Sequence, residues 1–91
     1  MPTTDVTHLI EEAIRERHVL EVTYLAKDAS EAKLVVEPLA IRFNRAQHRV
    51  LWLWSRDAGH IEELLWDGIV DAVATGDVFA PRPWVEPDTE S

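Results

Sequence analysis

Residues 50–54, Val50-Leu51-Trp52-Leu53-Trp54, are large apolar side chains in unbroken succession, bracketed by Arg49 and Arg56. Successive side chains of a strand point to opposite faces. As a strand, this segment puts Val50, Trp52 and Trp54 on one side and Leu51 and Leu53 on the other, so neither face suits water. Such a strand needs cover on both sides, as in the centre of a closed barrel or between a sheet and a helix. No apolar run in the sequence approaches the length of a membrane-spanning helix.

The flanking sequence supplies the elements to cover it. From Asp5 to Arg17, Val6, Leu9, Ile10, Ala13 and Ile14 recur at helical spacing. Asp5 or Thr7 is expected to cap this helix, with Glu11 and Glu12 early and Arg15 and Arg17 late, as the helix dipole favours. From Val19 to Ala26 the period falls to two, Leu20, Val22 and Tyr24 alternating with Glu21, Thr23 and Leu25, which predicts a strand. Lys27–Glu31 reads as a polar turn. A second strand starts at Lys33. Pro38 has no N–H for a ladder and marks a bend, bulge or edge, beyond which the strand resumes at Leu39–Phe43. Asn44–Gln47 is expected to turn the chain and pair Leu39–Phe43 with His48–Trp52. Asp57-Ala58-Gly59 is another turn. His60–Trp66 is a fourth strand, although its Glu-Leu content also allows helix. Asp67-Gly68 turns the chain again, and Ile69–Thr75 is a fifth strand closed by Gly76-Asp77.

The pattern predicts a mainly β domain: one N-terminal α-helix, then four or five short strands, forming a small half-open barrel that the helix caps. Residues 1–80 make this single domain. Residues 81–91 form a proline-rich, acidic tail expected to be extended.

Composition removes whole classes of function. The 91 residues include no cysteine, so disulfides and thiolate metal sites are excluded, in keeping with a cytoplasmic protein. Acidic residues interrupt the apolar pattern of the N-terminus, unlike a secretion signal. The four histidines lack metal-ligand spacing, the three glycines are scattered at turns, and no serine has a nucleophile's context. Adjacent carboxylates such as Glu62-Glu63 diverge on a strand instead of converging in a cleft. A non-catalytic protein without metal or cofactor is expected. Nine basic residues against seventeen acidic ones make the chain as a whole the wrong sign for non-specific duplex binding.

Local basic character persists, since seven of the nine basic residues are arginine. Arg42, Arg45, Arg49 and Arg56 cluster around the Asn44 turn. In the expected pairing Arg42 and Arg49 lie near each other across the strands, an arrangement that calls for an anion or for the chain's own carboxylates. Trp54, close to Arg56, is the tryptophan best placed to stack on a base, and Tyr24 is a further candidate. At the other end, Phe79 and Trp84 in the segment around Pro81-Arg82-Pro83 either fold back on their own domain or anchor a neighbouring chain, which makes a homo-oligomer an expectation.

Several segments together resemble the WYL domain of bacterial transcriptional regulators. They are Ala13-Ile14 in the helix, Tyr24 late in the first strand, Val36-Glu37-Pro38-Leu39, the aromatic strand, Asp67-Gly68-Ile69 and Thr75-Gly76-Asp77-Val78-Phe79. They span roughly residues 8–80. The resemblance implies a five-stranded Sm-like (SH3-type) barrel with an N-terminal helix. It implies a regulatory domain that senses a nucleotide or single-stranded nucleic acid and acts on transcription or on a partner protein. The tripeptide that names the family falls on Arg49-Val50-Leu51, which keeps only the leucine. The family's ligand-contacting arginines fall on Leu34, Glu62 and Gly68. Loss of those charges, with the acidic balance of the chain, also fits an interaction or dimerisation module without a ligand pocket.

Overall fold

The computed structural model describes residues 3–81, 83 and 84. The tail expected over 81–91 therefore lies mostly outside the described residues. Helix α1 (Thr4–Glu16) leads into five strands: β1 (His18–Leu25), β2 (Glu31–Phe43), β3 (Arg49–Ser55), β4 (His60–Leu65) and β5 (Ile69–Val78). A single 3-10 turn, Trp66–Gly68, joins β4 to β5.

The helix starts one residue earlier than expected, at Thr4 in place of Asp5. Thr3 is the cap, its Oγ1 accepting the Val6 N–H at 3.2 Å, in place of Asp5 or Thr7. It ends on Arg17, in the left-handed conformation with φ 59°, whose N–H donates to the Ala13 carbonyl. The Arg17 carbonyl in turn accepts the Phe79 N–H at 2.9 Å, tying the end of the helix to the segment after β5.

The strands form one antiparallel sheet in the order β4-β3-β2-β1-β5. The two edge strands, β4 and β5, do not pair with each other, so backbone hydrogen bonds do not close the sheet into a barrel. Strand β3 is interior, as its composition demands, with Val50, Leu51, Trp52, Leu53 and Ser55 all buried. Its odd-numbered face meets Leu20 and Val22 of β1, Val36 of β2, Leu64 of β4, Trp66, Ile69 and Ala72 of β5, and Val6, Ile10 and Ala13 of α1 in one core.

Two local devices set the register. At Pro38, β2 gains a bulge: Pro38 pairs with Leu53 but Ala40 pairs with Trp52, so Leu39 is the extra residue. Before the bulge Val36 faces the core; after it Ile41 does, an inversion of parity. At the β2–β3 hairpin, Asn44 pairs with His48 through Asn44 N–H to His48 O at 2.9 Å, leaving a three-residue loop with Gln47 in the left-handed region. The His48 N–H also donates to Asn44 Oδ1 at 2.9 Å.

The remaining differences from expectation are at element ends. Trp66 leaves the strand to enter the 3-10 turn, buried in the core, and β5 runs through Gly76-Asp77 to Val78. His60–Leu65 is strand, not helix, because its partner β3 has an unpaired side to fill.

Leu53→Ala, at a fully buried position, is expected to lower unfolding free energy by about 2–5 kcal/mol. Val73→Ala, on the exposed side of β5, is expected to change it by less than about 1 kcal/mol. Urea denaturation followed by tryptophan fluorescence measures both.

Candidate functional site

Charge is segregated along the chain. From Pro38 to Arg56 there are four arginines and a histidine and no acidic residue. The other segments together hold the five remaining basic residues and all seventeen acidic ones. The β2–β3 hairpin is thus a basic projection from an acidic body, a signal in the sequence that a whole-chain charge count conceals.

Within the hairpin the register decides what each arginine does. Phe43 pairs with Arg49, and Arg42 pairs with Val50. Directly paired residues share a face, so Arg42 and Arg49 lie on opposite faces. This corrects the expected neighbouring pair. A four-residue turn would have opposed them; the three-residue loop shifts the register by one and reverses the faces. Arg49 instead sits between two rings, its guanidinium carbon 5.6 Å from the centroid of Phe43 and 5.4 Å from that of Trp66. Both distances are in the range of cation–π attraction. Phe43 is 61% exposed, whereas Trp66 is buried, so the stack runs from solvent into the core. Arg42 lies exposed on the other face, one of its guanidinium nitrogens donating to the Ile41 carbonyl at 3.0 Å, and Arg45 is exposed in the loop.

Arg56 is committed elsewhere. Its Nε donates to Glu37 Oε2 at 2.9 Å, and Glu37 is only 2% exposed. A carboxylate taken out of water is costly unless charged donors compensate. Arg56 therefore serves the fold where the sequence suggested a ligand contact. Trp54, paired with Glu37 on the same face, is half-buried next to this ion pair.

Tyr24 belongs to a different place. It lines a cleft of about 420 Å3 with Leu25, Ala26, Lys27, Leu65, Asp67 and Gly68. Its hydroxyl accepts the Leu65 N–H at 3.3 Å. Its ring lies so close to Gly68 that a Cβ built there would be 2.6 Å from Cε1 and 2.8 Å from Cζ. Glycine at 68 is a steric requirement of that ring. The cleft was not legible as a unit, because Tyr24 and Gly68 meet only once β1 and the 3-10 turn are packed together. In the turn between β1 and β2, Asp28 Oδ1 accepts the Ser30 N–H at 2.9 Å and the Ser30 hydroxyl at 2.6 Å. These two hydrogen bonds hold the Asp28 carboxyl below the ordinary aspartate value of 3.8.

Phe79 is buried, and Trp84 folds back on its own chain, lining a shallower cleft with Ile14, Arg17, Pro38, Leu39, Phe79 and Pro81. Among the described residues no group of three metal-ligating side chains converges, and no helix is long and apolar enough to cross a membrane.

Comparison with known proteins gives two findings. The profile of the WYL domain matches residues 5–72. Among solved structures, proteasome accessory factor B/C (PafBC) of Arthrobacter aurescens has a similar fold, with a TM-score of 0.73 at 15% identity. That similarity covers 86% of this chain but 13% of the other, so this chain corresponds to a small part of that protein. No curated protein matches the chain significantly.

Gly68→Ala is expected to expel the Tyr24 ring and break its bond to Leu65. The Leu65 amide should then exchange faster with solvent and its resonance should move; an unchanged Leu65 amide would refute the close approach. In the wild-type protein the Ser30 amide shift should titrate with a midpoint below 3.8, since the depressed carboxyl keeps its hydrogen bonds as pH falls until Asp28 is protonated. A midpoint at or above that value would contradict the two hydrogen bonds from Ser30.

Proposed function

Because this chain belongs to the WYL domain family, we propose that it is a non-catalytic, ligand-sensing regulatory domain. It takes a nucleotide or a short single strand of nucleic acid at the β2–β3 hairpin and passes the event to a transcriptional or protein partner in the cytoplasm. In this proposal the sheet is a half-open, Sm-like barrel. Leu64 of one edge strand and Ile69 of the other meet in a single core beneath α1, which supports that description.

The observation that carries the function is the Arg49 stack. A base needs an aromatic face and its phosphate needs a cation. Phe43 offers an exposed ring, Arg49 a cation fixed against it, and Arg42 and Arg45 add positive charge on an extension free of carboxylates. Arg56 and Trp54 support this hairpin from below through Glu37. Tyr24 with the cleft at Gly68 provides a second, mostly apolar recess. The PafBC likeness supports the fold of this domain.

A different reading has support of its own. Strand β5 is an edge, and it exposes Val70, Val73 and Val78, the last at 66%. Such an edge can accept another strand, so a homodimer or protein-docking module is the second reading.

Fluorescence anisotropy with labelled oligothymidylate and with mononucleotides distinguishes the two. The first function predicts binding that weakens as salt rises. Arg49→Ala should weaken it by about tenfold, equivalent to about 1.4 kcal/mol. No binding at low salt refutes it. The second reading predicts a concentration-dependent dimer in light scattering, disrupted by Val73→Lys; a strict monomer refutes that reading.

A further inference from the structure

We propose that the cleft between Tyr24 and Gly68 is a ligand site in its own right, and that it takes a neutral, flat ring compound with a carbonyl oxygen on its edge. None of its lining residues belongs to the β2–β3 hairpin. Its occupancy therefore does not require that the hairpin bind nucleic acid.

Size sets the scale of the ligand. The cleft measures about 420 Å3, inside the span of roughly 300–1,000 Å3 that small-molecule sites occupy. The cleft of Trp84, at about 180 Å3, falls below it. Tyr24, Leu25, Ala26 and Leu65 supply the apolar lining. Gly68 lies against Cε1 and Cζ of the Tyr24 ring, and the Tyr24 hydroxyl is held by the Leu65 N–H. A ring fixed in this way and only half-buried offers an incoming ring a ready surface for offset or edge-to-face contact.

Charge sets its polarity. The lining holds one lysine and one aspartate, Lys27 and Asp67. An ionised ligand would give up its water and meet no net opposite charge, so a neutral one is favoured. The Tyr24 hydroxyl and the Leu65 N–H already serve each other, and Asp67 is engaged within the protein. Lys27, by contrast, makes no ion pair among the described residues. Its ammonium brings three N–H donors and no acceptor, which selects a carbonyl oxygen on the ligand. The turn that carries Lys27 is tied down: Ala26 N–H donates to the Ser30 carbonyl at 2.9 Å, and Ala29 N–H to the Ala26 carbonyl at 3.0 Å. The Lys27 backbone is thus in place before a ligand arrives, and binding has little beyond the lysine side chain left to order.

Benzamide is the probe, with one neutral ring and one amide carbonyl. In the full isotope-labelled chain it should shift the amide resonances of Leu25, Ala26, Lys27, Leu65 and Gly68 along one saturating curve, in the millimolar range expected of so small a ligand. Resonances of Arg45–Gln47 in the hairpin loop should stay where they are. The Tyr24 ring protons should show cross-relaxation with the benzamide ring. Lys27→Met keeps the apolar stem and should weaken binding at least about threefold. Lys33→Met, at an exposed position outside the cleft, should not change it. Benzoate should bind no tighter than benzamide. Shifts that do not saturate, absence of contact with the Tyr24 ring, unchanged affinity in Lys27→Met, equal weakening in both lysine variants, or tighter binding of benzoate would overturn the proposal. No sample contains an oligonucleotide, so failure of this site and failure of the hairpin as a nucleic-acid site are separate results.

Discussion

The structure depends on burial of β3 from both sides. Leu51 and Leu53 must meet one set of neighbours and Val50 and Trp52 another, so β3 cannot be an edge and cannot lie on a solvated face. With β2 on one flank and β4 on the other, its backbone is paired along its length. The helix then has one place to go. Its stripe of Val6, Ile10 and Ala13 covers the face that carries Leu51 and Leu53, and by doing so fixes β1 and β5 beneath it. Burial at roughly 25 cal/mol per Å2 of apolar surface makes this face the main source of stability in so short a chain.

A strand buried on both sides gives no choice of register by hydrophobicity alone, since sliding it by one residue leaves apolar groups on each face. Register must come from elsewhere, and two devices supply it. The three-residue loop with Gln47 in the left-handed region pairs Phe43 with Arg49. The bulge at Leu39 then lets the same long strand put Val36 and Ile41 on one face although their separation is odd. Pro38 is suited to that position because it brings no N–H to an interrupted ladder. The distribution of arginines follows. Arg49 falls on the aromatic side, against Phe43 and Trp66, and Arg42 on the other. Glu37 falls opposite Trp54, where Arg56 from the next turn neutralises it.

Much of this was legible in the residues. The helix stripe, the alternation of Leu20, Val22 and Tyr24, and the two-faced β3 are periodic signals, and periodicity survives folding. Turn length is a weaker signal. Asn44-Arg45-Ala46-Gln47 reads as a four-residue turn, and the shorter loop appears only in the structure, where Asn44 pairs with His48 and its side chain bonds the His48 N–H. The candidate site inherited that turn length: Arg42 and Arg49 were expected side by side and lie on opposite faces. Arg56 looked like a ligand contact because sequence shows a charge and not its partner, and Glu37 lies nineteen positions away. The Tyr24 cleft was hidden for the same reason, its walls coming from the ends of β1 and β4.

The corner at Gly68 shows why the turn after β4 carries no positive charge at that position. Any side chain at 68 begins with a Cβ, and that atom would sit within 3 Å of the Tyr24 ring. An arginine there and an inward Tyr24 therefore exclude each other. With glycine, the ring closes onto the turn, its hydroxyl takes up the Leu65 N–H, and the recess that remains is lined mainly by apolar groups. Asp67 and Lys27 at its rim carry opposite charges and leave it no net attraction for an anion. Four arginines instead gather in the stretch from Pro38 to Arg56, where acidic residues are absent and Arg49 is held against Phe43 and Trp66. Close packing and charge are thus kept apart: the corner at Gly68 is given to a tyrosine ring, and the arginines gather at the hairpin.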